Sequence, residues 1–465
     1  MIIKELITQI VKKKLLIIDR GRFDACFRTS FIARIIKKKK NIDFIVLLNN
    51  STDKKKIKIY KDMGAKFFIF FNDEQKKIRN ISIFFFTVVY GFLYSLILYK
   101  YYLTNKLTKI EFKGIKIGDL IIDHFLRFDK NFYKKKSINF HTLRITFSII
   151  YKILFFEKLL KKEKIYLTII SSLSYATLSS VGFRFFLKKK IPTIFSGGSK
   201  LKLYKDYKDS LKGFYDIKKK EIKKFLKNKT NKKKVENYFT SRLNNKKIIL
   251  NNKSYMKTLK KEKWDIFRAF QNKKNFSKKK LYSELNLDKI NKPICVFALH
   301  AFKDANHIYG DFIFESFYDE FLKTLRFIND KNQYYWLIKP HPAGNRLGEK
   351  NIAQDIIKSN NIDNVKIIPK RISTKSIILH ADKLITSRGT IGLEYAAIGK
   401  KPIITSNTYY SNFQLSIKCK SENDYFKLIL DKNFPKKNNY KQMLIAKTIL
   451  YKRKLIYIKK NIYNI

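Results

Sequence analysis

The chain has 465 residues, 45% of them hydrophobic, which is enough for two or three domain cores. Its 101 Lys and Arg against 37 Asp and Glu give a formal charge of +64, but the surplus is mostly Lys, spread along the whole chain beside Ile, Asn, Phe and Tyr, the residues of A/T-rich codons. With no zinc-finger, aromatic RNA-binding or basic-zipper pattern, charge alone does not make a nucleic-acid-binding protein, although attraction to anionic lipid or an acidic glycan follows physically.

The N-terminus, Met1 to Glu5, lacks the apolar run and cleavage site of a secretory signal. Leu15 to Ile18 reads as a buried strand, followed by Asp19-Arg20-Gly21-Arg22 and a helical pattern through Phe27, Ile32 and Ile35. Ile42 to Leu48 and Ala65 to Phe70 are the next strands, and the β-α alternation predicts a parallel sheet. Ile81 to Tyr99 carries no charge and is long enough to cross a bilayer. Ser82, Thr87, Gly91 and Ser95 within it, and the α/β pattern on both sides, predict a buried or interfacial helix instead.

Gly114 and Gly118 then lead into a helix carrying Asp119, Asp123 and Arg127 on one face. Two readings stand: an exposed face with an internal ion pair, or a carboxylate-lined pocket in which Asp119 or Asp123 takes a proton from a sugar hydroxyl. Ile165 to Ile170 and Ile191 to Phe195 are further strands, closing the first sheet near Gly197-Gly198. Residues 1–198 form the expected first domain, and 199–290 a Lys-rich helical connecting region in which Arg242 is the one side chain singled out.

The second α/β domain is expected over 291–420, with helices over 421–465. Pro293 to Leu299 is a strand delivering His300, Asp304 and His307 into a loop, and Tyr335 to Ile338 ends at Lys339-Pro340-His341-Pro342. Strand ends are where α/β enzymes place ligands, and the two prolines stiffen the loop around His341. Contact with phosphate or substrate is the expectation for Lys339 and His341, against a purely structural loop histidine. The three histidines do not stand in a zinc-type motif with a carboxylate, so no metal site is expected. Val365 to Pro369 and Lys383 to Thr386 are strands, the second feeding Ser387-Arg388-Gly389-Thr390. There Gly389 permits close approach, and the amides opening the next helix can receive a diphosphate. Glu394, one turn on, can accept ribose hydroxyls, or it is simply a carboxylate placed favourably near a helix start. Cys26, Cys295 and Cys419 form no pair or CxxC spacing, which fits a reducing, cytoplasmic setting.

Taken together, Gly114 to Arg127, His300-Ala301-Phe302-Lys303-Asp304, Lys339-Pro340-His341-Pro342, and Gly389 to Glu394 with Gly399-Lys400-Lys401-Pro402 resemble bacterial capsular and surface-polysaccharide biosynthesis proteins of GT-B-like architecture. The resemblance implies two Rossmann-like domains facing a cleft. A nucleotide-sugar donor would lie in the C-terminal half and a glycan or lipid-linked acceptor in the N-terminal half. Ser387, Arg388, Gly389, Thr390 and Glu394 would hold the nucleotide. Lys339 and His341 would stabilise the leaving phosphate without a metal or other cofactor, His300 and Asp304 would orient substrate, and Asp119 or Asp123 would be the base. Ile122 and His124 stand where the family pattern leads one to expect an aromatic and a small polar residue. The implied role is a cytoplasmic glycosyltransferase at the inner face of the plasma membrane, in peripheral contact with anionic lipid. A nucleotide-sugar epimerase and a non-catalytic export or assembly factor are the alternatives.

Overall fold

The computed structural model describes residues 14–462 except 20–22, 78–79, 104–106, 130–139, 198–199, 212–216, 218, 245–273, 289–291, 308–309, 311, 343 and 345–346. Met1 to Glu5, Arg20 to Arg22 and Gly198 therefore lie outside the described residues. The chain divides into two units, Met1–Lys212 and Gly213–Ile465.

The first unit holds strands β1 (Lys14–Ile18), β2 (Phe44–Leu48), β3 (Phe67–Phe70), the hairpin β4 (Glu111–Phe112) and β5 (Ile115–Lys116), then β6 (Ile165–Ile170), β7 (Thr193–Gly197) and β8 (Lys200–Tyr204). Six of them form a sheet in the order β3-β2-β1-β6-β7-β8, parallel except for β8. Leu15 to Ile18 and Phe44 to Leu48 are buried on both faces, which is why they read as unbroken apolar runs. The sheet does not close near Gly197: Lys200–Tyr204 turns back and pairs antiparallel with β7. On this edge strand Leu201 and Leu203 are exposed, while Tyr204 is buried.

The second unit holds β9 (Ile294–Ala298), β10 (Tyr335–Lys339), β11 (Val365–Ile367), β12 (Lys383–Thr386), β13 (Ile403–Ile404) and β14 (Ile417–Lys418). All are parallel, in the order β11-β10-β9-β12-β13-β14. Both sheets thus run in the doubly wound order 3-2-1-4-5-6, and each reverses direction beside its first strand: between β1 and β6, and between β9 and β12. The chain is an α/β protein with two Rossmann-like sheets.

The Lys-rich stretch is not a separate body. Helix α1 (Lys229–Leu243) buries Val235, Tyr238 and Phe239 at i, i+3 and i+4, and Tyr238 and Phe239 join Ala446, Ile449 and Leu450 of the long helix Tyr440–Ile462 in one core cluster of the second unit. The lysines of α1 occupy the opposite, wet side.

Candidate functional site

The reversal between β9 and β12 puts the loop after β9 and the loop after β12 side by side at the carboxyl ends of the strands. From the first loop, the imidazole of His300 stacks on Phe317 at 4.5 Å and 23°, and on His341 at 5.1 Å and 18°. His300 and His341 are thereby brought together. Burial, then the charge of His341, pushes the His300 imidazole down to about 3, with Asp304 opposing, so the ring is neutral at physiological pH. Its Nδ1 has no hydrogen-bond partner among the described residues and stands 4.0 Å from Asp304 Oδ2. Burial resists ionisation of Asp304, but His300, the Ala305 amide and Arg388 outweigh it and hold the carboxyl below its ordinary range.

The loop is built to hold this shape. Glu349 accepts the amides of Phe302 at 3.1 Å and Lys303 at 2.6 Å, while burial pushes its carboxyl up to about 7 against their pull. Asn306 donates to the Phe302 and Asp304 carbonyls and accepts the Phe317 amide at 2.6 Å. Arg388 closes the loop: its guanidinium donates to the Ala305 and Asn306 carbonyls and lies 4.8 Å over the Phe317 ring. In this geometry the guanidinium fork satisfies buried carbonyls that would otherwise be costly. Ser387 is likewise turned toward the protein. Fully buried, its hydroxyl donates to Glu320, whose other oxygen accepts Thr405 Oγ1 at 2.6 Å. Burial pushes Glu320 up to about 7.

Gly389 and Thr390 do open a helix, α2 (Thr390–Ala397), at the end of β12. Gly389 donates to Thr386 Oγ1 at 3.2 Å and accepts Tyr410 Oη at 3.0 Å, and a Cβ on it would sit 2.7 Å from Thr386 Oγ1. The glycine is required for that closeness. Thr390 accepts Tyr409 Oη at 3.2 Å. Glu394 is buried on the same helix, with Oε1 accepting Arg242 Nε at 2.7 Å. Arg242, from α1, is a partner that lies 152 residues away in sequence. Lys339 ends β10 at the same strand ends, half-buried like His341.

Asp119 and Asp123 lie in the first unit, on the helix Gly118–Phe128. Neither sits on an exposed face: they are 4% and 2% exposed. Both Asp119 oxygens accept Arg184, at 2.5 and 2.7 Å, and Arg184 also donates to the Lys116 carbonyl at 2.6 Å. A carboxylate held bidentate by a buried guanidinium has the geometry of a structural anchor. The two glycines ahead of the helix have structural work too. Gly114 (φ +69°) completes, with Lys113 (φ +51°), the tight hairpin turn between β4 and β5. A Cβ on Gly118 would lie 1.8 Å from the Leu107 carbonyl oxygen.

Glu320, Glu349, Arg184 and Phe317 were not singled out by sequence. Glu320 reads there as an ordinary first-turn acid behind the N-cap Ser316, and the others find their partners only through the fold. Among the described residues no three of His, Cys, Asp and Glu stand together as metal ligands.

A family model described as capsule polysaccharide biosynthesis protein matches residues 189–454, more than half of the chain. The chain belongs to the capsule polysaccharide biosynthesis protein family. The match takes in the His300, His341 and Gly389 loops and Arg242, whereas Gly114 to Arg127 falls outside it. No curated protein matches the chain. Among solved structures, the family member described here is similar to the Thermosulfurimonas dismutans KpsC β-Kdo 2,4 transferase at 11% identity, covering 61% of this chain and 79% of that one with a TM-score of 0.33. A glycosyltransferase from Rickettsia africae matches at 11% identity, 97% of each chain and 0.28. The Neisseria meningitidis UDP-GlcNAc 2-epimerase matches at 11% identity, 95% and 99% coverage and 0.29. At these TM-scores the likenesses carry no argument about the reaction.

Proposed function

We propose that this protein is a glycosyltransferase of surface or capsular polysaccharide biosynthesis, moving a sugar from a nucleotide-sugar donor to a glycan or lipid-linked acceptor in the cytoplasm, at the inner face of the plasma membrane. The observation that carries the reading is the β9/β12 reversal, where the stacked His300–His341 pair and the Gly389 opening of α2 stand at the same strand ends.

In this reading the free amides at the start of α2 receive the donor diphosphate. Lys339 and His341 offset the charge that develops as the nucleotide departs, so the transfer needs no metal. Glu394, its Oε1 fixed by Arg242, takes the ribose hydroxyls. Neutral His300 donates or accepts a hydrogen bond without adding charge, and ionised Asp304 orients a hydroxyl beside it. Ser387, Arg388, Glu320 and Glu349 act behind this layer, holding the two loops in shape.

Mass spectrometry of the native protein identifies the bound nucleotide, and that nucleotide's sugars are then assayed for transfer. Glu394→Ala and His341→Ala are expected to abolish transfer with the circular dichroism of the fold unchanged. Full transfer by both variants refutes the assignment. Epimerised nucleotide sugar formed with no acceptor present refutes the transferase reading.

A further inference from the structure

Among the described residues, the helix Ile81–Leu103 is partnered along only one side. Ile83, Thr87 and Leu98 are buried, and Gly91 lies so close to the helix Phe140–Lys162 that a Cβ on it would come within 2.5 Å of the Phe147 ring. Tyr94 donates to the Glu111 carbonyl at 2.8 Å, and Tyr90 and Tyr94 both set their edges on buried Phe112. No described residue of the first unit covers the opposite side. Ile81, Phe84, Phe85, Val88, Phe92 and Leu96 fall at i, i+3, i+4, i+7, i+11 and i+15, one helical stripe, and all are exposed, with Phe85 at 63% and Phe92 at 65%. Over Ile81–Lys100 the mean hydropathy is 2.2 and only 22% of the segment is buried. A contiguous aromatic and aliphatic stripe of this length marks an interaction surface.

Charge decides what covers it. From Gln75 to Ile110 the sequence contains no Asp or Glu, while Lys76, Lys77 and Arg79 precede the helix and Lys100, Lys106 and Lys109 follow its apolar run. An apolar stripe bracketed at both ends by cations matches a bilayer with anionic headgroups, whose acyl region takes the rings while its phosphates meet the lysines. A crossing helix would have to give up the Phe147, Phe112 and Glu111 contacts along its inner side.

We propose that this helix lies flat in the interface of an anionic phospholipid bilayer, its Ile81-to-Leu96 stripe inserted among the acyl chains and its inner side still packed on the first unit. The stripe belongs to the first unit and the strand-end site to the second, and the experiment uses no sugar donor, so the proposal stands or falls apart from the proposed reaction.

The test is sedimentation of the full chain with vesicles of phosphatidylcholine alone or with phosphatidylglycerol. Binding is expected to the mixed vesicles and to weaken as salt rises. Phe85→Asp with Phe92→Asp should lower it about tenfold while circular dichroism is unchanged, since both side chains point outward. Lys76→Gln with Lys77→Gln should reduce the preference for anionic vesicles without touching the stripe. Equal binding by the Asp variant and the parent overturns the proposal. So does retention in membranes after an alkaline carbonate wash, which marks a span. Concentration-dependent dimerisation lost in the Asp variant, with no vesicle binding by either protein, also overturns it and assigns the stripe to a second copy of the chain.

Discussion

Glu320 tests whether the loops around the β9/β12 reversal are held by a buried carboxyl that changes charge near neutrality. It is 1% exposed, accepts Ser387 and Thr405, and burial raises it from 4.5 to about 7. That displacement is worth about 3 kcal/mol, because each pKa unit corresponds to about 1.4 kcal/mol between folded and unfolded states. The folded pKa lies above the unfolded one, so the protonated group's contribution is fully present below about pH 4.5 and is lost as the pH rises through about 7. Glu320→Gln keeps a neutral amide at all pH values and lacks this dependence. Urea unfolding of parent and variant, followed by tryptophan fluorescence at about pH 5 and about pH 8, should show their stability difference moving by about 2–3 kcal/mol in the variant's favour at the higher pH. Taking the difference cancels Glu349, which titrates with the same sign, and His300, whose depressed pKa works with the opposite sign as the pH falls below the ordinary histidine range. Parallel pH profiles would refute the argument, since Glu320 would then carry no displaced proton.

Two further substitutions separate structural from ligand-binding roles. Asp119→Ala leaves the Arg184 guanidinium buried and unmatched and should cost about 3–5 kcal/mol in thermal denaturation, while Asp119→Leu with Arg184→Met should recover most of it; an unchanged melting temperature in Asp119→Ala would show that the pair is not structural. Arg242→Met should weaken nucleotide binding about tenfold by calorimetry and add little to the loss in Glu394→Gln, because the two side chains act as one unit; fully additive losses would argue against that coupling.

The strands that matter most were legible because a sheet buried on both faces leaves unbroken apolar runs, as in Leu15 to Ile18 and Ile294 to Ala298. The short outer strands were not. Ile403–Ile404 and Ile417–Lys418 have too few residues for a period to register, and Lys200–Tyr204 hides its alternation in a Lys-rich stretch. At the site, sequence placed His300, His341 and the Gly389 turn together because each follows a central strand of one parallel sheet. It could not tell which polar side chains face a ligand and which face the protein. Ser387 and Arg388 carry the same chemistry whether they point outward or hold Glu320 and the Ala305–Asn306 carbonyls. Only the fold, which sets Glu320 against Ser387 and Phe317 under Arg388, decides.

The same distinction explains why a charge of +64 says so little about where the chemistry is. The informative cations are the few that the fold takes out of water, and each has a definite partner. Lys383, fully buried, donates to the carbonyls of Ile429 at 2.6 Å and Asp431 at 2.7 Å, closing the carboxyl end of the helix Glu422–Leu430 while burial lowers it to about 8. Lys152 donates to Ser148 Oγ and the Ala176 carbonyl in the first unit, where burial also lowers it to about 8. Arg184 holds Asp119, Arg388 holds the His300 loop, and Arg242 holds Glu394. Desolvating a cation is costly enough that it persists only where geometry repays it, so burial selects specific partners from a background that is basic along the whole chain. Arg242 is the case where this selection meets the proposed chemistry: the cation that fixes Glu394 also sets how strongly that carboxylate can accept a further hydroxyl.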